Sequence, residues 1–275
     1  QGDKEMQRIE SIIGSIWGYE WPGSNWSKIS DIDKPRQFRD AFVYAINFMS
    51  KASPFMIRLE DAQWIDDASK QFFRLLTETG NGNVVFVCSC RYEHGNKIDL
   101  KLPKCTKYDI ELTRLTFQET AELVRNLVNP ERNIPKETVE FIDGYAEGVP
   151  LFVEQLTLDM RGHDTLDNNG VIRGKPKYKR NLKIYDVLDS RIDNLTDNVR
   201  EALFRAAVLG NQFYVELLSK MLDTKLETEL EQGEKNRIWQ RHRKLDKSDP
   251  LCDVEELQYI FNHVMIHKAA YDRMM

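Results

Sequence analysis

Apolar residues near the start of the chain recur at helical spacing. Met6, Ile9, Ile12, Ile13 and Ile16 predict a helix over 4–17. The Gly-, Ser-, Asp- and Trp-rich stretch 18–33 reads as a loop. Pro35 opens a second helix, at a position where proline is tolerated, with Phe38, Phe42, Ala45, Ile46 and Met49 as its apolar face. The pattern then changes. Phe55–Leu59 is a short strand, and Asp66 can cap a helix that turns Phe72, Leu75 and Leu76 inward. "GNGN" (80–83) is a turn. "VVFVCSC" (84–90) is apolar on both faces, as in a parallel strand covered by helices on each side. Strand, helix, strand makes a βαβ unit, which calls for a right-handed crossover.

From about Tyr108 helices dominate. "IEL" (110–112) is a brief extended segment. "TFQE" (116–119) has the capping-box form and opens a helix with Phe117, Ala121, Val124 and Val128 on one face. Another runs from Pro135 to Gly148, and a third begins at Pro150. Residues 161–182 are polar and read as a linker or a small exposed hairpin. Helices resume over 184–195, 197–209 and 214–222. The charged segment 223–256 reads as a helix followed by a β-wing. "LQYIF" (257–261) is a strand, and 263–274 is a closing helix.

Composition adds constraints. Of the 275 residues, 41% are hydrophobic and 30% charged, with a net charge of -5. That balance argues against a general basic field for nucleic acid. It leaves the local basic run "RIWQRHRK" (237–244) as the only pointer that way. Cys88, Cys90, Cys105 and Cys252 show no zinc-ligand spacing and read as buried free thiols in a reducing cytosol. No apolar run approaches the ~20 residues of a membrane helix.

The chemistry concentrates at Glu60 and Asp61. An apolar strand that ends in two adjacent acids delivers both carboxylates to the sheet edge where open α/β folds bind ligands. Adjacent carboxylates repel unless a cation or hydrogen-bond donors offset them, and a hard cation carrying phosphates does so. An acidic helix-start region accounts for the same residues without any ligand.

The wider pattern resembles a known family. "LEDAQWIDDAS" is similar to the "EDxxWxDxxS" signature of STAND-branch, AAA-type signal-transduction ATPases. Such modules are fused to class III adenylyl or guanylyl cyclases, tetratricopeptide arrays and large bacterial transcription activators. "VVFVCSCRYE" (84–93) resembles the family's next strand, which ends in an arginine. "LTRLTFQETAELV" (112–124) resembles its lid-opening segment, and "YAEGVPLFVEQL" (145–156) its Gly-x-Pro motif, with Val149 in place of the usual Asn. The run 187–213 and "YIFNHVMIHKAAYD" (259–272) resemble the opening and closing parts of its winged-helix domain.

The resemblance covers roughly residues 38–275. It implies an α/β fold: a partial P-loop NTPase core with a parallel sheet over 1–106, a helical lid over 107–160, the linker or hairpin at 161–182 and a winged-helix-like domain over 183–275. It implies ATP or ADP with Mg²⁺ as cofactors. Glu60 and Asp61 would be the metal-organising and water-polarising acids, in either order. Arg91 would sense the terminal phosphate, Pro150 would pack near the adenine, and His263 would approach the phosphates from the winged helix. The plain alternatives are a surface salt bridge for Arg91, a first-turn helix proline for Pro150 and a satisfied surface or core histidine for His263. Trp64 is assigned to packing, with Asp66 and Ser69 as helix-start residues.

One family element is missing. No glycine-rich phosphate loop, GxxxxGK followed by Ser or Thr, precedes Glu60. "GVIRGKP" (170–176) is one residue short between its glycines and has Pro176 in place of the hydroxyl, so it reads as a turn. The sequence is therefore expected to be a piece beginning after that loop, unable by itself to bind nucleotide tightly. The expectation is a cytoplasmic ATP/ADP-dependent switch controlling an effector in the same polypeptide, such as a nucleotide cyclase, with homo-oligomers possible. The alternatives are a non-catalytic scaffold that keeps the fold and, less favoured, a DNA-binding regulator.

Overall fold

The computed structural model describes residues 2–15, 18–19, 26, 29–80, 83–91, 100–174, 178–242 and 257–274. They form a mixed α/β protein with eleven α-helices and two small sheets among them. The chain divides into two compact units, Gln1–Ile110 and Glu111–Met275.

In the first unit, α1 (Gly2–Gly14) packs on α2 (Lys34–Ala52), and Ile9 and Ile12 are buried with Ala41. Proline stands in the first turn of α2, as its missing N–H allows. β1 (Phe55–Leu59) and β2 (Val84–Cys88) pair in parallel, from Phe55 opposite Val84 to Leu59 opposite Cys88. Parallel neighbours need a crossover. Here it is α3 (Asp67–Thr79), whose Phe73 and Leu76 are buried, with the Phe73 ring edge-on to Phe86 at 5.8 Å. Phe72 and Leu75, expected inside, are only half-buried; the inward line of α3 runs one position further along, through Phe73, Leu76 and Thr77.

The two-faced cover expected for β2 is not found. One face lies under α3, while on the other Met56 is 70% exposed, Val85 54% and Val87 45%. The cysteine expectation is corrected as well. Cys88, Cys90 and Cys105 are free and exposed; Cys88 is the last residue of β2 and Cys90 lies beyond the strand. Half of the expected turn at 80–83 and half of the loop at 18–33 lie outside the described residues, and Cys252 wholly so.

In the second unit, α4 (Phe117–Val128), α5 (Lys136–Ala146) and α6 (Pro150–Gly162) pack around Val124, Ile142, Val153, Leu156 and Met160. The capping box forms: Thr116 Oγ1 accepts from the Glu119 N–H, and Glu119 accepts from the Thr116 N–H. The buried line of α4 is Thr120, Val124 and Leu127, so Phe117, expected inside, is exposed. Beyond the end of α6, residues 163–174 make a hairpin turn closed by a bridge between Leu166 and Ile172. It is not a free linker, since Leu166 is buried and Ile172, Tyr178 and Leu182 pack on the same core.

α7 (Ile184–Asp193) and α8 (Asp197–Leu209) lead into β3 (Gln212–Tyr214), α9 (Val215–Leu222), α10 (Glu227–Lys235), β4 (Trp239–Arg241), β5 (Gln258–Phe261) and α11 (Val264–Asp272). The sheet is antiparallel in the order β3-β5-β4. Phe213, Trp239, Tyr259 and Phe261 are buried together in its core. β3 is the one strand absent from the sequence reading. Most of the expected wing, 243–256, lies outside the described residues.

Candidate functional site

The pairing of β1 with β2 continues past the named strands. Ser89 N–H donates to the Leu59 carbonyl and Ala62 N–H to the Ser89 carbonyl, each at 2.9 Å. Glu60–Asp61 and Cys90–Arg91 therefore leave the sheet side by side, at its carboxyl edge. That is where a parallel sheet offers its ends to a ligand.

Each acid has its own partner there. Glu60 shares the exposed side of β1 with Arg58, two residues back, and the two form an ion pair at 2.9 Å. This explains an arginine inside a short apolar strand: the side it occupies is not covered. Both side chains are well solvated, so the pair stabilises little. Asp61 adopts left-handed backbone angles, φ 51° and ψ 44°, which aspartate tolerates better than most residues. The turn starts a one-turn 3-10 helix, Ala62–Trp64. The Asp61 carboxylate accepts from Gln63 Nε2 at 2.9 Å, and Gln63 Oε1 accepts from the Arg91 N–H at 3.0 Å. Gln63 is the residue that sequence reasoning missed, since a lone glutamine between acids and a tryptophan carries no signal of its own.

Trp64 is corrected. The turn directs Ala62 inward, while the Trp64 ring is 72% exposed instead of packed. Asp66 and Ser69 do start α3: Asp66 Oδ1 accepts from the Ser69 N–H at 2.7 Å. That bond holds the Asp66 carboxyl below the usual carboxylate range.

The other two candidates lie in the second unit. Pro150 is the first residue of α6 and is exposed. It follows a loop held onto residues 114–115. Leu115 N–H donates to the Gly148 carbonyl at 2.8 Å, and Arg114 Nη1 donates to Glu147 Oε2 at 2.7 Å. Gly148 sits at φ +68°, and a Cβ there would meet the Leu115 carbonyl oxygen at 2.4 Å, so glycine is required. The segments "LTRLT" and "EGVP", far apart in sequence, thus form one corner. His263 is the N-cap of α11, where Nδ1 accepts from the Met265 N–H at 3.1 Å.

Carboxylate oxygens are hard donors, and two of them suit Mg²⁺, which takes one or two carboxylates and completes its shell with water and phosphate. The described residues contain no group of three or more His, Cys, Asp or Glu arranged to hold a metal. Two open clefts form elsewhere: about 390 Å³ between α2 and α3, lined by Val43, Tyr44 and Leu75, and about 540 Å³ beside α7, lined by His163, Tyr178 and Asp189. Neither includes Glu60, Asp61 or Arg91. The basic run at 237–242 is engaged internally, Arg237 with Glu154 and Arg241 with Glu234, both at 3.1 Å, and Ile238 and Trp239 are buried.

No protein-family model matches the chain, and no curated protein matches it either. No described helix is long and apolar enough to cross a membrane.

Proposed function

We propose that this chain is part of a nucleotide-dependent regulatory switch of the STAND ATPase kind. In this reading it contributes the acidic edge of a P-loop NTPase core, a helical lid and a winged-helix domain. The observation that carries the reading is the shared edge: Glu60–Asp61 and Arg91 leave adjacent parallel strands side by side. The small antiparallel β3-β5-β4 sheet, set among helices, supports the C-terminal assignment.

Glu60 and Asp61 would hold magnesium, which when bound neutralises phosphate charge. One carboxylate orients the attacking water, and the Arg91 guanidinium offers charge to the terminal phosphate from the next strand end. ATP and ADP then favour different arrangements, and an attached effector such as a nucleotide cyclase reads the difference. The setting is cytoplasmic, and homo-oligomers fit a switch of this type. The phosphate loop this requires would come from polypeptide beyond the sequence described.

The test uses the intact protein. Asp61→Asn is expected to abolish release of phosphate from ATP while leaving binding of a fluorescent ADP within about threefold. Unchanged turnover would overturn the reading. A second reading, a non-catalytic scaffold, is favoured by one observation: Arg58 and Gln63 already satisfy both acids within the chain. Absence of ADP binding by the intact protein, with its oligomeric state intact, would select that one.

A further inference from the structure

Asp61 and Arg91 belong to different strand ends, and a single side chain spans them. Gln63 donates to the carboxylate at 2.9 Å and accepts from the Arg91 backbone N–H at 3.0 Å. The chemistry of that position is narrow. A carboxylate only accepts and a backbone N–H only donates, so the bridging group must do both within one rigid plane. A primary amide does this. Glutamate could serve Arg91 but not Asp61, and lysine could serve Asp61 but not Arg91.

The rest of the edge makes the bridge consequential. Asp61 is in left-handed geometry and begins the 3-10 turn that carries Gln63. The Ala62 N–H to Ser89 bond fixes the base of that turn to the second strand. Among the described residues beyond Ser89, the bond that ties Arg91 to this turn is the one its N–H donates to Gln63 Oε1. Any ligand that draws the Asp61 carboxylate away from Gln63 therefore loosens or resets the Arg91 main chain.

We propose that Gln63 is a positioning residue that couples the Asp61 carboxylate to the backbone of Arg91, so that a cation engaging the acid is felt at the arginine. The inference rests on the nucleotide reading for the identity of the ligand, but not for the coupling itself. It gives the switch a local device: the amide reports the state of the acid to the strand end that would meet phosphate.

The test is residue-resolved hydrogen–deuterium exchange of the Arg91 amide in the intact protein, with α3 amides as the internal control. Without ligand, Asp61→Ala and Gln63→Ala should each speed Arg91 exchange by roughly 5- to 10-fold, what one hydrogen bond is worth. The double variant should add nothing further, because both changes break one chain of contacts. Asp61→Ala leaving Arg91 at the wild-type rate, or fully additive effects, would overturn the proposal.

If Asp61→Ala also loosens α3, the isosteric Gln63→Glu decides. Its carboxylate still accepts from Arg91 but cannot donate to Asp61. Arg91 should then exchange faster, as in Asp61→Ala, and MgCl₂ with ADP, which is expected to alter Arg91 exchange in the wild type, should change it no further. A Gln63→Glu response equal to wild type would refute the coupling. Failure of the nucleotide reading is separately visible: the intact protein would bind no ADP, while the ligand-free cycle still judges Gln63.

Discussion

Single side chains at element ends carry much of the local order. Thr116 and Glu119 close the start of α4 reciprocally, and the two bonds from Thr116 hold the Glu119 carboxyl below its usual range. A depressed carboxyl contributes stability above its unfolded value near pH ~4.3 and loses it as pH falls through the folded value. Urea unfolding followed from pH 7 to pH 3 should therefore show a loss of stability that Glu119→Gln makes smaller. Thr116→Ala should cost ~1 kcal/mol at pH 7, and an unchanged denaturation midpoint would contradict the cap. This cap was legible because its logic is contained in four consecutive residues, and so was the Asp66 cap. The Gln63 bridge was not, because it depends on a strand end some thirty residues away in sequence. The exposure of Trp64 was hidden for a related reason: a large aromatic reads as core until the turn geometry is known.

At the scale of elements, the boundaries that held were those set by physical stops. β1 runs from Phe55 to Leu59 between Pro54 and the acid pair, and α6 begins at Pro150. β3, at three residues, is too short to carry an alternation and exists by pairing with β5. The faces of α3 and α4 came out rotated by about one position, because their apolar residues are dense enough to support two adjacent stripes. Close packing shows most sharply between α10 and β4. The Trp239 ring is fully buried against Gly233, and its Nε1 donates to the Leu230 carbonyl at 3.1 Å. A Cβ on Gly233 would stand 2.1 Å from the ring. Helix propensity favours alanine over glycine by ~1 kcal/mol, but overpacking of this kind costs roughly 1–3 kcal/mol. Gly233→Ala should therefore destabilise the second unit and perturb Trp239 fluorescence. A raised denaturation midpoint would show that the ring moves aside without cost.

Taken whole, the molecule distributes its buried apolar surface unevenly. The second unit holds two extensive cores, one among α4–α6 and one around the β3-β5-β4 sheet. They are linked by Arg191 of α7, buried with its guanidinium donating to Gln155 of α6 and to the Asn236 carbonyl. Burial lowers the pKa of that group to about 10, leaving it charged at neutral pH. Arg191→Ala would orphan the buried Gln155 acceptor, at about 1–3 kcal/mol. Among the described residues, the first unit has a small core around Ile9, Ile12 and Ala41 and the contact of α3 with one face of a two-stranded sheet. Its other sheet face carries Met56, Val85 and Val87 into solvent, although parallel sheets normally have both faces covered. Local stability follows buried apolar contact. Native-state hydrogen exchange in rising urea should thus find β1 and β2 amides opening at a distinctly lower free energy than those of α6 and α8. Equal opening energies across both units would mean that the chain unfolds as one, and that the thin sheet owes its stability to something other than its own core.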